Sequence, residues 1–251
     1  MSTATTTRAI VTGHSRGLGE AVAADLLERG IAVLGLARAP HDGLAQRHGG
    51  LLQQTALDLS DTAHLQAWLQ AGALARFVEG AERVLLVNNA GMVLPIGAAG
   101  SLDEPHLARA VALNVAAPLL LTNALVAVLP EGTQQRVLHV SSGAARKPYA
   151  GWSVYCATKA ALDMHAQASQ LDEVPGLLIS SVAPGVIDTE MQADIRAASE
   201  DDFPLRERFE AMKREGRLET PEAVAHKLVN HLLSPAFGVQ ALVDLRELAA
   251  A

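Results

Sequence analysis

Residues 8–19 read Arg8-Ala9-Ile10-Val11-Thr12-Gly13-His14-Ser15-Arg16-Gly17-Leu18-Gly19. Ala9, Ile10 and Val11 make a short apolar run of the kind that forms a buried strand. Three glycines follow within seven residues. Residues 20–29 then place Ala21, Leu26 and Leu27 on a helical period, with Gly30 positioned to end the helix. A glycine turn between a strand and a helix can hold a pyrophosphate on backbone N–H groups and the helix dipole. The spacing is G-x-x-x-G-x-G rather than G-x-G-x-x-G, and three glycines also suit an ordinary tight turn. The strand before and the helix after favour phosphate binding.

The same residues admit a different chemistry. Gly13-His14-Ser15-Arg16-Gly17 matches the G-x-S-x-G elbow, which would make Ser15 the nucleophile of an α/β-hydrolase-like esterase. That elbow here follows the first strand, so no earlier strand can supply an oxyanion-hole loop. Phosphate binding is the preferred reading.

Working outward, β-rich runs recur at 31–37, 51–57, 84–87, 136–140, 178–182 and 239–243. Helical patterns fall at 62–77, 155–171 and 222–233. Another runs from Ser101, as cap, to 129, with Asp103 and Glu104 in its first turn and a bend at Pro118. This alternation predicts a doubly wound parallel sheet in a three-layer αβα, Rossmann-type arrangement, one domain over 1–251. Residues 191–217 are rich in Asp, Glu and Arg yet carry Met191, Phe203 and Met212. They are expected to be irregular, either a solvated connection or a substrate lid.

Composition narrows the partners. The 251 residues carry a formal net charge of −7, which argues against nucleic acid and anionic membranes. Aromatics, at 3%, are too sparse for base-stacking platforms. Residues 110–129 are apolar, but Asn114, Pro118, Thr122 and Asn123 interrupt them and no basic cluster flanks them. A helix in the core or a subunit interface is expected there, not a membrane span. Cys156 is the sole cysteine, so no intrachain disulfide forms, and the N-terminal tail lacks a leader pattern. A cytoplasmic location is expected. His226 and His231 are five apart, off one helical face, and no metal site is predicted.

An acid about twenty residues past the glycines would bind a ribose hydroxyl and mark NAD. Here Ala37 precedes Arg38, and Arg16 lies inside the turn. Two guanidinium groups suit a 2′-phosphate, so NADP(H) is predicted over the plainer reading of two exposed arginines. Asp58 can accept from an adenine amino group or simply shape a turn. Tyr155 and Lys159 share one helical face. A neighbouring ammonium lowers a tyrosine pKa from its usual value near 10, toward general acid–base work. Most such spacings, taken alone, mean nothing.

The order of the pieces decides. Thr12-Gly13-x-x-x-Gly17-x-Gly19, Asn88-Asn89-Ala90-Gly91, Asn114, Ser142, Tyr155-x-x-x-Lys159 and Pro184-Gly185 succeed one another along the chain. In this the chain resembles a classical short-chain dehydrogenase/reductase. The runs Gly151-Trp152-Ser153-Val154-Tyr155-Cys156 and Pro184-Gly185-Val186-Ile187-Asp188-Thr189-Glu190-Met191-Gln192 are similar to the sepiapterin reductase and benzil reductase group. The resemblance implies that Tyr155 is the acid/base and that Lys159 holds the nicotinamide ribose and lowers the tyrosine pKa. It implies that Ser142 orients the substrate carbonyl and that Asn114 positions a water in a relay through Lys159. It also implies cofactor contacts at Gly13, Ser15, Arg16, Gly17, Leu18, Gly19, Arg38, Asp58, Leu59, Asn89, Tyr155, Lys159, Pro184, Ile187 and Thr189, the last to the nicotinamide carboxamide. The implied activity is NADPH-dependent reduction of a small ketone, a 1,2-dicarbonyl or a pterin side-chain ketone, by a homodimer or homotetramer. A non-catalytic dinucleotide sensor with the same fold is the alternative. In sepiapterin reductases an acid near the C-terminus anchors the pterin. Asp244 and Glu247 are the nearby acids here, and neither matches that position clearly.

Overall fold

Strand β1, Thr7–Thr12, is buried at Ala9, Ile10 and Val11, as a central parallel strand covered on both faces must be. It enters α1, Gly17–Glu28, which returns the chain to β2, Ala32–Ala37. The computed structural model describes residues 5–248; the expectations for the N-terminal tail and the whole-chain domain also reach 1–4 and 249–251, outside the described residues. Beyond β2 come α2, Asp42–His48; β3, Leu52–Ala56; α3, Thr62–Gln70; α4, Ala73–Val78; and β4, Arg83–Asn88. Then follow α5, Glu104–Val111; a π-helical turn, Ala112–Ala116; α6, Ala117–Val128; β5, Gln134–Val140; and α7, Ser153–Leu171. The chain ends with β6, Leu177–Ala183; α8, Glu190–Ala197; α9, Arg206–Arg214; α10, Pro221–Leu233; and β7, Leu242–Asp244.

The seven strands form one all-parallel sheet in the order β3-β2-β1-β4-β5-β6-β7. Leu26, Val22, Leu228 and Val229, from α1 and α10, pack on one face. Leu65, Leu74, Leu121, Leu125 and Ala166, from α3, α4, α6 and α7, pack on the other. The predicted three-layer, single-domain architecture is therefore observed.

Several local expectations are corrected. The helix expected over 62–77 breaks at Gly72, whose φ of +73° is a left-handed conformation that ends α3 and starts α4. Asp103, not Ser101, caps α5: its side chain accepts from the His106 amide at 2.9 Å. Pro118 does not produce a simple bend. It cannot donate to the carbonyl four residues back, and the chain instead runs through the π turn just before it. The last strand lies at Leu242–Asp244 rather than 239–243. Residues 191–217 are not irregular: they hold most of α8 and all of α9.

The stretch Glu104–Val128 is continuous helix, long and apolar enough by length and composition to cross a membrane, and 33% of its most apolar window is buried. Leu121 and Leu125 fix it on the sheet, while Val111 and Val128 stay exposed.

Candidate active site

The strand order reverses between β1 and β4, where open parallel sheets hold ligands at the strands' carboxyl ends. Thr12 joins the two ends. Its hydroxyl accepts from the amides of Asn89 and Ala90, both at 2.9 Å, and Asn89 Nδ2 donates to the Thr12 carbonyl at 2.9 Å. This closeness explains the glycines. A Cβ on Gly19 would lie 2.2 Å from the Gly13 carbonyl oxygen and 2.4 Å from Asn89 Nδ2, and Gly13 sits at φ +71°. Helix α1 begins at Gly17 with no side-chain cap, leaving its first N–H groups without a side-chain acceptor, as an anion-binding helix start requires.

One cavity of about 900 Å³ links this turn to the predicted catalytic side chains. Gly13, Ser15, Arg16, Gly17, Leu18, Arg38, Asp58 and Leu59 line its β1–β3 side. Asn89, Pro184, Ile187 and Thr189 line its middle, and Ser142, Tyr155 and Lys159 its β5–α7 side. Of the predicted residues, Gly19 and Asn114 stand behind the wall: Gly19 permits the close turn, and Asn114 supports the floor. Asn89 likewise turns its amide onto Thr12 and lines the cavity from there.

On the β1–β3 side, Arg38 is exposed and has no ion-pair partner among the described residues, whereas Arg16 pairs with Glu190 at the start of α8. Asp58 is more engaged than expected. Its Oδ1 accepts from the Ser60 amide and hydroxyl at 3.0 and 2.6 Å, and its Oδ2 from Arg109 at 2.9 Å. Burial alone would raise its pKa, but the Ser60 donors and Arg109 outweigh it and hold the carboxyl below its usual range. One lone pair on Oδ2 remains for an adenine amino group.

At the other side, Tyr155 and Lys159 are both buried on α7. Lys159 Nζ donates to the Val140 carbonyl at 2.7 Å and lies 5.8 Å from the Tyr155 ring centroid. The expected lowering of the tyrosine pKa by this lysine is not what the geometry produces. Burial pushes Tyr155 up to about 12, and the neighbouring hydroxyl of Ser142 pulls the other way. Burial also brings Lys159 down to about 8, with Asp163 opposing the fall. Asn114, in the π turn, donates Nδ2 to the Met92 carbonyl at 2.8 Å and to Thr158 Oγ1 at 3.1 Å, and accepts the Met92 amide at 2.9 Å. A Cβ on Gly91 would meet both Asn114 Oδ1, at 3.3 Å, and Lys159 Nζ, at 3.6 Å. That glycine leaves open the space between the Asn114 amide oxygen and the Lys159 ammonium.

An aromatic wall closes the top. Trp152 stacks on Phe203, with centroids 4.6 Å apart and 15° between planes, and meets Tyr155 edge-on at 5.3 Å. Phe209 of α9 packs 5.4 Å from Trp152, and Ile195 of α8 joins the same cluster. Gly151, at φ +80°, admits the Asp202 carbonyl, which would lie 2.1 Å from a Cβ there. The sequence reading missed Phe209, Ile195, Arg109 and Asp163. Met191–Ile195 and Phe209–Met212 do carry helical spacing, but the surrounding charges mask it.

Among the described residues no histidine hydrogen-bonds to Ser15, and the adjacent His14 is bonded to Gln54 at 2.7 Å. The esterase reading gains no base. Both Asp244 oxygens are held by Arg246, at 2.9 and 2.5 Å, and neither Asp244 nor Glu247 lines the cavity.

Comparison with known proteins places these features in a context. A family profile described as short chain dehydrogenase matches residues 7–200. A benzil reductase ((S)-benzoin forming) from Bacillus cereus is 35% identical over 235 residues, covering 91% of this chain and 94% of that protein. A sepiapterin reductase from Meriones unguiculatus is 35% identical over 249 residues, covering 94% of each. A crystal structure of a short-chain dehydrogenase/reductase from Burkholderia vietnamiensis superposes with a TM-score of 0.72 at 50% identity, covering 98% of this chain and 100% of that one.

Proposed function

This chain belongs to the short-chain dehydrogenase/reductase family of oxidoreductases, and on that premise we propose that it uses NADPH to reduce an apolar, aryl-bearing ketone or 1,2-dicarbonyl, with Tyr155 as proton donor. The observation carrying this reading is the single cavity that joins an anion-binding glycine turn and two arginines to Ser142, Tyr155 and Lys159 beneath Trp152. A bound nicotinamide supplies the hydride. The chain's own residues do the rest. Arg38 and Arg16 bind the 2′-phosphate as charged donors. The Ser142 hydroxyl faces the substrate oxygen, where charge develops. Tyr155, with its pKa near 12, keeps its proton across the working pH range and yields it to a strongly basic alkoxide oxygen. Lys159 holds one proton on Val140 and turns its remaining donors to ribose hydroxyls.

The substrate end is built from Tyr149, Trp152, Phe209, Met191 and Met212, which favours apolar or aryl groups flanking the carbonyl. Relatives named benzil reductase fit that preference. A pterin is disfavoured because Arg246 already engages Asp244. Residues 191–217 serve as the lid, held down by Phe203 and Phe209. The exposed apolar side chains Val111, Val128, Met164 and Leu171 suit a homodimer or homotetramer.

The test is oxidation of NADPH against aryl 1,2-diketones, aryl ketones, aliphatic ketones and pterins. Turnover of the aryl dicarbonyls, lost in Tyr155→Phe, is the expected result. Tight NADPH binding with no turnover across the panel would instead establish a non-catalytic dinucleotide sensor.

A further inference from the structure

Tyr155, Lys159 and Asp163 lie at i, i+4 and i+8 on α7, so one helical face presents a phenol, an ammonium and a carboxylate in succession. Only the first two face the cavity. Asp163 is buried behind them, yet it is fully engaged. Its Oδ1 accepts from the hydroxyls of Ser141 and Ser181, at 2.6 and 2.7 Å, and its Oδ2 from Arg146 Nε at 3.1 Å. Arg146 also donates to the Val243 carbonyl at 3.2 Å. The carboxylate thus sits where the ends of β5, β6 and β7 converge, one turn from Lys159. Three donors offset the cost of burying this charge, which an apolar residue of the same size would not incur.

We propose that Asp163 is a positioning residue for this site, holding the charge on the Lys159 ammonium from one helical turn away. The proposal rests on the reductase reading for its catalytic consequence, though not for its electrostatics. The groups facing Lys159 are few. Tyr155 and Asp163 come from its own helix, the Val140 carbonyl and His139 from β5, and Asn114 from the π turn, with Arg146 behind Asp163. His139 is buried and its pKa lies near 3, so it adds no charge at neutral pH. Among the described residues Asp163 is therefore the one carboxylate that offsets the burial of the ammonium. Arg146 partly neutralises that carboxylate, so it tunes the lysine with the opposite sign.

The test uses two variants, Asp163→Asn and Arg146→Gln, and follows the Lys159 Nζ by ¹⁵N NMR, assigned with Lys159→Arg. Asp163→Asn is expected to move the lysine midpoint down by about one pH unit, the order of shift a single nearby opposite charge supplies. Arg146→Gln is expected to move it up. The alkaline limb of the reductase kcat/KM follows in the same directions, because activity is lost as Lys159 loses its proton. A merely structural aspartate would give two loosened proteins whose midpoints move together or stay put, and that result overturns the proposal. If Asp163→Asn does not fold, an unmoved or lowered midpoint in Arg146→Gln overturns it alone. If no carbonyl compound is turned over, the reductase reading fails while the NMR titration still decides this one.

Discussion

The arginines at the adenosine end give a prediction whose size can be worked out. Arg38 has no ion-pair partner among the described residues, whereas Arg16 is paired with Glu190 across the cavity mouth. A hydrogen bond to a charged group contributes roughly 1.5–3 kcal/mol, and about 1.4 kcal/mol is a factor of ten in affinity. Arg38 is exposed, so the lower part of that range applies. Arg38→Ala should weaken NADPH binding by roughly ten- to thirtyfold and leave NADH, which lacks the phosphate, unchanged. Arg16 must first leave Glu190, and an exposed pair of that kind is worth at most about 1 kcal/mol, or roughly fivefold. Arg16→Ala should therefore lose less than Arg38→Ala. Glu190→Ala frees Arg16 and removes a negative charge, so it should tighten NADPH by up to about fivefold at low salt, with the gain shrinking as salt rises. Fluorescence titration of both dinucleotides with each variant measures all of this. Equal losses of NADPH and NADH in Arg38→Ala would refute the 2′-phosphate assignment, and an unchanged NADPH affinity in Glu190→Ala would refute the competition.

Three further outcomes follow from other parts of the fold. Ser142→Ala removes the hydroxyl beside Tyr155 and should lower kcat by about 10²–10³ with NADPH affinity intact; a loss under tenfold in steady-state kinetics would contradict its role at the substrate oxygen. Phe203 is 0% exposed and stacked on Trp152, so Phe203→Ala should destabilise the lid by about 3–5 kcal/mol. Hydrogen exchange should then rise over 190–214 while β1 and β4 stay protected, and uniform exchange would mean the lid is not a separable unit. His139, buried against Asn88 and His165 at 3.1 and 3.0 Å, has its pKa lowered from 6.5 to about 3. The unfolded chain thus binds a proton that the folded one does not, and stability falls as pH drops from 6.5 toward 3. At pH 5 the loss is about 2 kcal/mol. His139→Gln should flatten that slope in urea denaturation at pH 7 and 5, and a parallel slope would locate the acid lability elsewhere.

The parts of this molecule that were legible in sequence are those whose physics is local. The strand, glycine turn and helix at the start of the sheet are legible because they are contiguous, and Gly19 is required by an atom only six residues away. The inner strands β1, β2 and β4 are found because parallel strands buried on both faces are continuous apolar runs, whereas the edge strand β7 begins three residues later than expected. What escapes is set by contacts between distant segments. Arg16 and Glu190 are 174 residues apart, and nothing in either neighbourhood announces the pair. Helices α8 and α9 are hidden because their charged faces outweigh the few apolar residues that reach Trp152, a partner supplied by another part of the chain. Asp163 stands in an apolar helix at a spacing as plain as that of Lys159, yet its partners Ser141, Arg146 and Ser181 come from elsewhere. Asn114 joins the two cases. Its place in an apolar helix is visible, but the π turn that surrounds it is not. Pro118 lacks the N–H that would reach the Asn114 carbonyl in a regular α-helix, and the wider turn there accompanies an amide directed to Met92 and Thr158. The proline read as a bend is thus better understood as part of what lets one side chain leave the helical register and support the floor beneath Lys159.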